Sequence, residues 1–429
     1  MSVTSMLSSL SLEAKPGREV MDVFHLSLMD WSAVGIAGKS EPVAKIMHDQ
    51  AIEEAGVGRS GIIGIPGCYP ARMAALANGT ISHALDYDDT HFAHIGHPSV
   101  AVIPAALAIG QHVGADGSAF QNAAIVGMEA SVRIGVWLGR SHYQAGYHQT
   151  ATAGAFGATI ASSRLLELDS RQLEMAIGLV STRASGLKSQ FGSMGKSFNA
   201  GIAAANGVES ALLAERGFIS ASEALEGQNG FGLTHFGEDE RSAFDSIYLK
   251  WVLPDVKHKF HACCHGLHAA LEALSSFEGS TAEIAKASVF THSRWMSVCN
   301  IAVPKTGLEA KFSYKTVVAM KLLEYDTAQM ETYCDELCKN EAVMELSRKV
   351  EVIPDDKQTE LSAAITITMN SGEVRRYFHD LGESMETGRR RKKTLSKAQS
   401  LIGRELAERL WDMIVNHAPP DELSDYLSK

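Results

Sequence analysis

Apolar side chains recur at Val20, Phe24, Leu28 and Trp31, a helical spacing that lines one face, and Gly38 follows as a stop. A second periodic stretch covers 71–85 and ends at Leu85. Pro98, whose fixed φ suits a first helical turn, predicts a helix through Val102, Ala106 and Ile109. Ser118 predicts a cap for another helix, from Phe120 to Leu138. Residues 150–162, TATAGAFGATIAS, are almost all small, which predicts a helix held close to its neighbours. A glycine loop for a cofactor reads less well there, because neither a preceding strand nor GxGxxG is present. No apolar run reads as long enough to cross a membrane.

The pattern changes near residue 270. ASVFTHSRW (287–295) predicts a strand, 308–323 a helix, and 348–353 a further strand. In 361–369 the apolar Ile365, Ile367 and Met369 alternate with Thr366 and Thr368, and Asn370-Ser371-Gly372 supplies a turn. The last helix, 402–415, carries Leu406, Leu410 and Ile414 at helical spacing and resembles the first module more than the second. The expected fold is mainly α: a large all-helical domain (1–268, completed by 396–429) and a smaller α+β domain (269–395). The basic run Arg389–Lys393 reads as a solvated loop between them.

The 429 residues carry a formal charge of −11, which argues against general nucleic-acid binding while leaving room for a locally positive pocket. The N-terminus lacks the basic start, apolar core and cleavage site of a secretory signal, and six cysteines over this length do not form a disulfide framework. The cytoplasm is the expected compartment.

Chemistry concentrates in ALDYDDTHFAHIGHPS (84–99). His91, His94 and His97 form H-x-x-H-x-x-H, but the third drifts off a helical face, and Gly96 and Pro98 break a helix there. The spacing differs from metal sites with ligands at i and i+4, so an acid–base cluster at the helix ends reads better than a metal cage or a bare polar loop. Asp86 closes one helix and His97 precedes the next, so the loop can fold them together, and a carboxylate on a histidine fixes its tautomer and raises its basicity. GSMGKS (192–197) resembles a phosphate loop, but Gln190 stands where the pattern needs glycine and no strand precedes it. Lys196 can still hold a carboxylate. KFHACCHGLH (259–268) tempts a zinc reading, yet vicinal cysteines make a poor tetrahedral pair and no second half-site completes it; Cys334 and Cys338 read as helix positions.

Taken in order, LSLMDWSAVGIAGKS, AALANGTISHALDYDDTHFAHIGHPSVAVIPAALAIG, DGSAFQNAAIVGMEASVRIG, YHQTATAGAFGATIASSRLLELD, GSMGKSFNAGIAAANGV, KFHACCHGLHAALEA and EAKFSYKTVVAM resemble the MmgE/PrpD family over nearly the whole chain. That family includes 2-methylcitrate dehydratase, cis-aconitate decarboxylase and iminodisuccinate epimerase. The resemblance implies a helical domain with an α+β lid, a homodimer, no cofactor and no metal, and a small di- or tricarboxylate as substrate. By motif position it implies a site built from Asp86, Thr90, His97, His148, Lys196, Lys259 and Tyr314. Two lysines would neutralise carboxylates, Thr90 would assist in binding, and His97, His148, Asp86 and Tyr314 would serve proton transfer beside a carboxylate. Departures from the family pattern are Asn199 in place of a frequent histidine, His261 in place of a frequent aromatic, and a loop from Thr90 to His97 one residue longer. A lyase, dehydratase or decarboxylase, is the first reading; an epimerase using the same α-proton chemistry is the second, and a non-catalytic metal- or ligand-binding protein the third.

Overall fold

The computed structural model describes residues 1–247 and 250–429. The chain divides into two units, Met1–His258 with Ile402–Lys429 and Lys259–Leu401.

In the larger unit the helices that matter for the site are α1 (Arg18–Gly38), α2 (Ala71–Ser82), α3 (Ser99–Val113), α4 (Gly117–Gln144, broken at Gly139), α5 (Gln149–Leu165) and α6 (Met194–Glu215). By length and composition α1 is a candidate membrane span after all, with a mean hydropathy of 1.2 over its most apolar stretch, which corrects the sequence reading. That stretch is 78% buried, and Phe24, Leu28 and Trp31 are wholly enclosed, so its apolar surface is spent on the core. The unit is not all-helical: β1 (Ser60–Ile62) and β2 (Ile65–Tyr69) form an antiparallel hairpin, turned at Ile63-Gly64 with Gly64 at φ +83°. Helix α4 is capped by Asp116 rather than Ser118, because the Asp116 carboxylate reaches the Ala119 N–H at 2.7 Å. Helix α2 stops at Ser82, short of Leu85, and the chain turns at His83.

Small residues let these helices approach closely. A Cβ added at Gly157 in α5 would lie 2.5 Å from the Gly127 carbonyl in α4, and one at Gly79 in α2 would lie 2.9 Å from the Gly201 Cα in α6. The second crossing fixes the end of α2 against α6, and with it the two chain segments that carry His83 and Lys196.

The smaller unit is built on a mixed sheet of order β4-β3-β5-β6, from β3 (Ile284–Thr291), β4 (Val350–Pro354), β5 (Ser362–Met369) and β6 (Val374–Asp380). β3 and β4 are parallel and the other pairings antiparallel. The alternation read in the sequence is the burial pattern of β5, where Ala363, Ile365, Ile367 and Met369 are buried. β6 was not foreseen, because its Arg375, Arg376, Phe378 and His379 lack a clean apolar alternation. The helix expected over 308–323 is broken: Gly307–Ala310 ends, and Ser313 caps α7 (Tyr314–Leu322) by accepting from Thr316 N–H. Cys334 and Cys338 lie on no common helix; a 3₁₀ turn covers Leu337–Lys339.

The basic run is helical rather than a loop. It opens α8 (Thr387–Ile402), where Glu386 accepts from Gly388 and Arg389 N–H groups at 2.8 and 2.7 Å and complements the helix start. Lys393 pairs with the largely buried Glu272. Residues 259–268 and 396–401 fall in this unit and not, as expected, in the helical one. The helix His268–Ala273 packs on β5 and β6, and α8 continues unbroken until Gly403, where φ turns positive.

Replacing Gly157 with Ala should destabilise the protein by about 1–3 kcal/mol, because the methyl has no room without a shift of α4. Urea unfolding measures this; an unchanged midpoint would show that the crossing tolerates separation.

Candidate active site

The segment 83–98 links α2 to α3 and is held in place by its own polar groups. Thr90 and Lys257 exchange backbone hydrogen bonds at 2.8 and 2.7 Å. The His91 ring lies 3.0 Å from the Val252 carbonyl, and the His91 N–H donates to the Gly96 carbonyl. His94 packs its ring against Ser131 of α4. Asp89 receives the Ser99 hydroxyl at 2.6 Å and ties the loop to the first turn of α3; burial raises its pKa to about 7. These side chains shape the loop, and Thr90 serves it through its backbone.

The loop presents a chain of alternating acids and bases. His83 Nδ1 lies 2.8 Å from Asp88 Oδ1, and His97 Nδ1 lies 2.7 Å from Asp88 Oδ2, a close approach that is poorly aligned for a hydrogen bond. His97 Nε2 lies 3.5 Å from Asp86 Oδ1, and Lys196 Nζ from the first turn of α6 lies 2.5 Å from Asp86 Oδ2. Exposure is greatest at Asp86: the side chains of His83 and Asp88 are fully buried, His97 is 11% exposed, Asp86 37% and Lys196 20%. Asp86 has φ +50°, a left-handed conformation that aspartate tolerates better than most residues. Burial works against the charge on Asp88, but the imidazoles of His83 and His97 outweigh it and hold the carboxyl well below its usual range.

His148 precedes α5 and joins this cluster from another side. Its ring stacks over His83 at 6.2 Å and meets the edge of Phe191 at 4.9 Å. The His148 backbone N–H donates to the Gly186 carbonyl, and the Thr150 hydroxyl, two residues on, accepts from the His97 backbone N–H at 3.1 Å. Burial pushes His148 well below the ordinary 6.5, and Lys196, His83 and His97 push it the same way, so the ring is neutral at neutral pH. Asn199 Nδ2 lies 3.2 Å from both His148 Nδ1 and the Leu187 carbonyl. A carbonyl partner requires the amide NH₂ on that side, so His148 Nδ1 accepts and its proton sits on Nε2.

Of the seven residues singled out from sequence, Asp86, His97, His148 and Lys196 come together in the larger unit. Lys259 and Tyr314 belong to the smaller unit. Lys259 is buried there, and the Tyr314 hydroxyl donates to the Gly266 carbonyl at 2.7 Å and meets Thr291 Oγ1 at 2.8 Å. Burial holds the Tyr314 phenol well above its ordinary range. Sequence reasoning missed His83, one position outside the acid-rich stretch, and assigned Asp88 to loop shaping, whereas it sits between two imidazoles. Its signal was the pair of histidines flanking it in sequence, which only the turn after α2 brings together. Four of these groups, His83, Asp86, Asp88 and His97, each offer one ligand atom within 4.8 Å of the others, a donor set a transition metal can use.

A helical unit carrying this acid–base cluster, joined to a mixed-sheet unit, marks a member of the MmgE/PrpD family. The chain belongs to that family: residues 2–243 match the MmgE/PrpD N-terminal domain and 261–416 the MmgE/PrpD C-terminal domain. It is 31% identical to the cis-aconitate decarboxylase-like protein oryM of Aspergillus oryzae over 301 residues, 64% of this chain and 61% of that protein. It is 28% identical to the cis-aconitate decarboxylase of Aspergillus terreus over 345 residues, 73% of this chain and 69% of the relative. The human cis-aconitate decarboxylase is 28% identical over 192 residues, 44% of this chain and 38% of that one. The match thus spans about three-fifths of the first of these relatives.

Replacing Asn199 with Asp should move the His148 proton to Nδ1 and raise its pKa by about 1–3 units, since a carboxylate favours imidazolium. Nitrogen NMR of labelled histidine reads both changes; an unmoved titration would show that Asn199 does not set this tautomer.

Proposed function

We propose that this protein is a lyase that removes a carboxyl group from a small di- or tricarboxylate, without a cofactor, by proton transfer at the carbon beside a remaining carboxylate. The observation that carries the reading is the cation–acid–base chain Lys196, Asp86, His97 and Asp88 beside a neutral His148. The names of the relatives support decarboxylation over the other reactions of the family.

In this reading a substrate carboxylate takes Lys196 from Asp86. Loss of carbon dioxide breaks a carbon–carbon bond and leaves its electron pair on carbon, spread onto the neighbouring carboxylate. The Nε2–H of His148 and the Lys196 ammonium stabilise that charge as it forms. A proton from His97 then quenches the carbanion. Lys259 is a second carboxylate binder by motif position, and Tyr314 a supporting group. Dehydration or epimerisation would use the same residues, with a proton removed from carbon first.

The test is a panel of cis-aconitate, citrate, 2-methylcitrate and iminodisuccinate, followed by proton NMR and carbon dioxide release. Carbon dioxide from cis-aconitate supports the reading; turnover of another member with none released would replace it by dehydration or epimerisation. Lys196→Ala should lower kcat/KM at least a hundredfold, with circular dichroism unchanged, because it removes a charge-assisted contact present throughout the reaction. Lys259→Ala should do the same, and full activity in either variant would remove that lysine from the site. Zinc or iron bound stoichiometrically and lost together with activity on chelation would favour metal chemistry at His83, Asp86, Asp88 and His97.

A further inference from the structure

We infer that Phe191 is a specificity-determining residue of the candidate site: its ring forms an apolar wall beside Lys196, and a polycarboxylate held by that lysine binds better when the carbon chain laid against the ring carries no hydroxyl. The inference rests on the proposed carboxylate site at Lys196, but on none of the chemistry that follows binding.

Phe191 is a large apolar side chain in the polar stretch Lys188-Ser189-Gln190-Phe191-Gly192-Ser193, and it is 40% exposed. The stretch is fastened on both sides of it. Before it, the Lys188 backbone N–H donates to the Gly146 carbonyl at 2.8 Å, and the Lys188 ammonium donates to the Tyr143 carbonyl at 3.0 Å while lying over the Tyr143 ring. After it, the Ser193 hydroxyl donates to the Gln190 carbonyl at 2.8 Å and caps α6 by accepting from the Gly195 N–H. Gly192, at φ +83°, reverses the chain between these two anchors. That turn brings Lys196 back to the ring, and the anchors keep the ring in place.

The ring meets both groups proposed to contact the substrate. Its centroid lies 4.9 Å from that of His148, with the two rings nearly perpendicular at 84°. The Lys196 ammonium lies 5.4 Å from the same centroid, within the range of a cation–π contact. His148 is buried and the Lys196 side chain is 20% exposed, so Phe191 is the most exposed of the three. A carboxylate oxygen about 2.8 Å from the ammonium sets the carboxylate carbon, and the carbon after it, against the ring. A methylene or alkene carbon gains apolar contact there. A hydroxyl on the same carbon loses water and gains no partner from the ring. An apolar surface of this kind discriminates against an added hydroxyl by about ten- to a hundredfold.

Two compounds that differ only by that hydroxyl test the inference: citrate, and tricarballylate, which is citrate without its hydroxyl. Each is titrated calorimetrically into the whole chain. The unaltered protein should bind tricarballylate at least about tenfold more tightly. Phe191→Ala should bring the two affinities near parity, by weakening tricarballylate more than citrate. Phe191→Leu, which keeps an apolar surface, should retain most of the preference, and circular dichroism should be unchanged in both variants. Equal affinities in the unaltered protein, or a preference for citrate, overturn the inference whether or not the variants fold. A preference that survives in Phe191→Ala overturns it too. Binding of neither compound would remove the carboxylate site at Lys196 and this inference with it. Selective binding without turnover of any compound in the substrate panel would refute the reaction class and leave the role of Phe191 standing.

Discussion

A carboxylate with no access to water organises this site. Asp88 cannot keep its charge in the interior without favourable neighbours: His83 Nδ1 hydrogen-bonds one of its oxygens at 2.8 Å, and His97 Nδ1 approaches the other at 2.7 Å. Its hydrogen bond orients the His83 ring, and its charge draws the His97 ring close. Orienting His97 directs its other nitrogen to Asp86, and Asp86 in turn holds Lys196. The line runs from a buried anion to a partly exposed cation.

Such a line needs a rigid frame, since displacements of an ångström would separate its members. The frame is made of helices whose contacts are glycine and alanine. Gly79 against Gly201 brings the end of α2 to the start of α6, and Gly157 against Gly127 presses α5 onto α4. The loop between α2 and α3 is fastened by Asp89, His91 and His94 at its flanks. The histidines near the candidate site therefore divide by partner: His91 holds a backbone carbonyl and His94 meets the Ser131 hydroxyl, while His83, His97 and His148 gather around the acids.

Much of this was readable from one sequence, and the reasons for the rest are physical. The helices over Arg18–Gly38, Ser99–Val113 and Gln149–Leu165 announce themselves because a buried stripe or a small-residue run leaves a periodic trace. Asp86 and His97 were readable as partners because helix-ending and helix-starting signals bracket them. Asp88 was not, because its neighbours in space are set by the turn at His83, and a polar residue in a polar loop carries no periodic signal. The hairpin Ser60–Tyr69 escaped for a similar reason: its strands are too short to show alternation. The basic run from Arg389 was read from charge alone, and Glu386 at its start makes it a helix. Asn199 stood out as a departure from the family pattern, but its bond to His148 and the resulting tautomer needed coordinates.

The central claim is that these groups move a proton to a carbon beside a carboxylate. Deuterium incorporation tests it most directly: the protein acts on cis-aconitate in deuterium oxide, and the product is read by NMR and mass spectrometry. The account predicts one deuterium per turnover, at a single carbon of the decarboxylated product, with none in recovered substrate. A product free of solvent deuterium, or exchange into substrate with no loss of carbon dioxide, would contradict it.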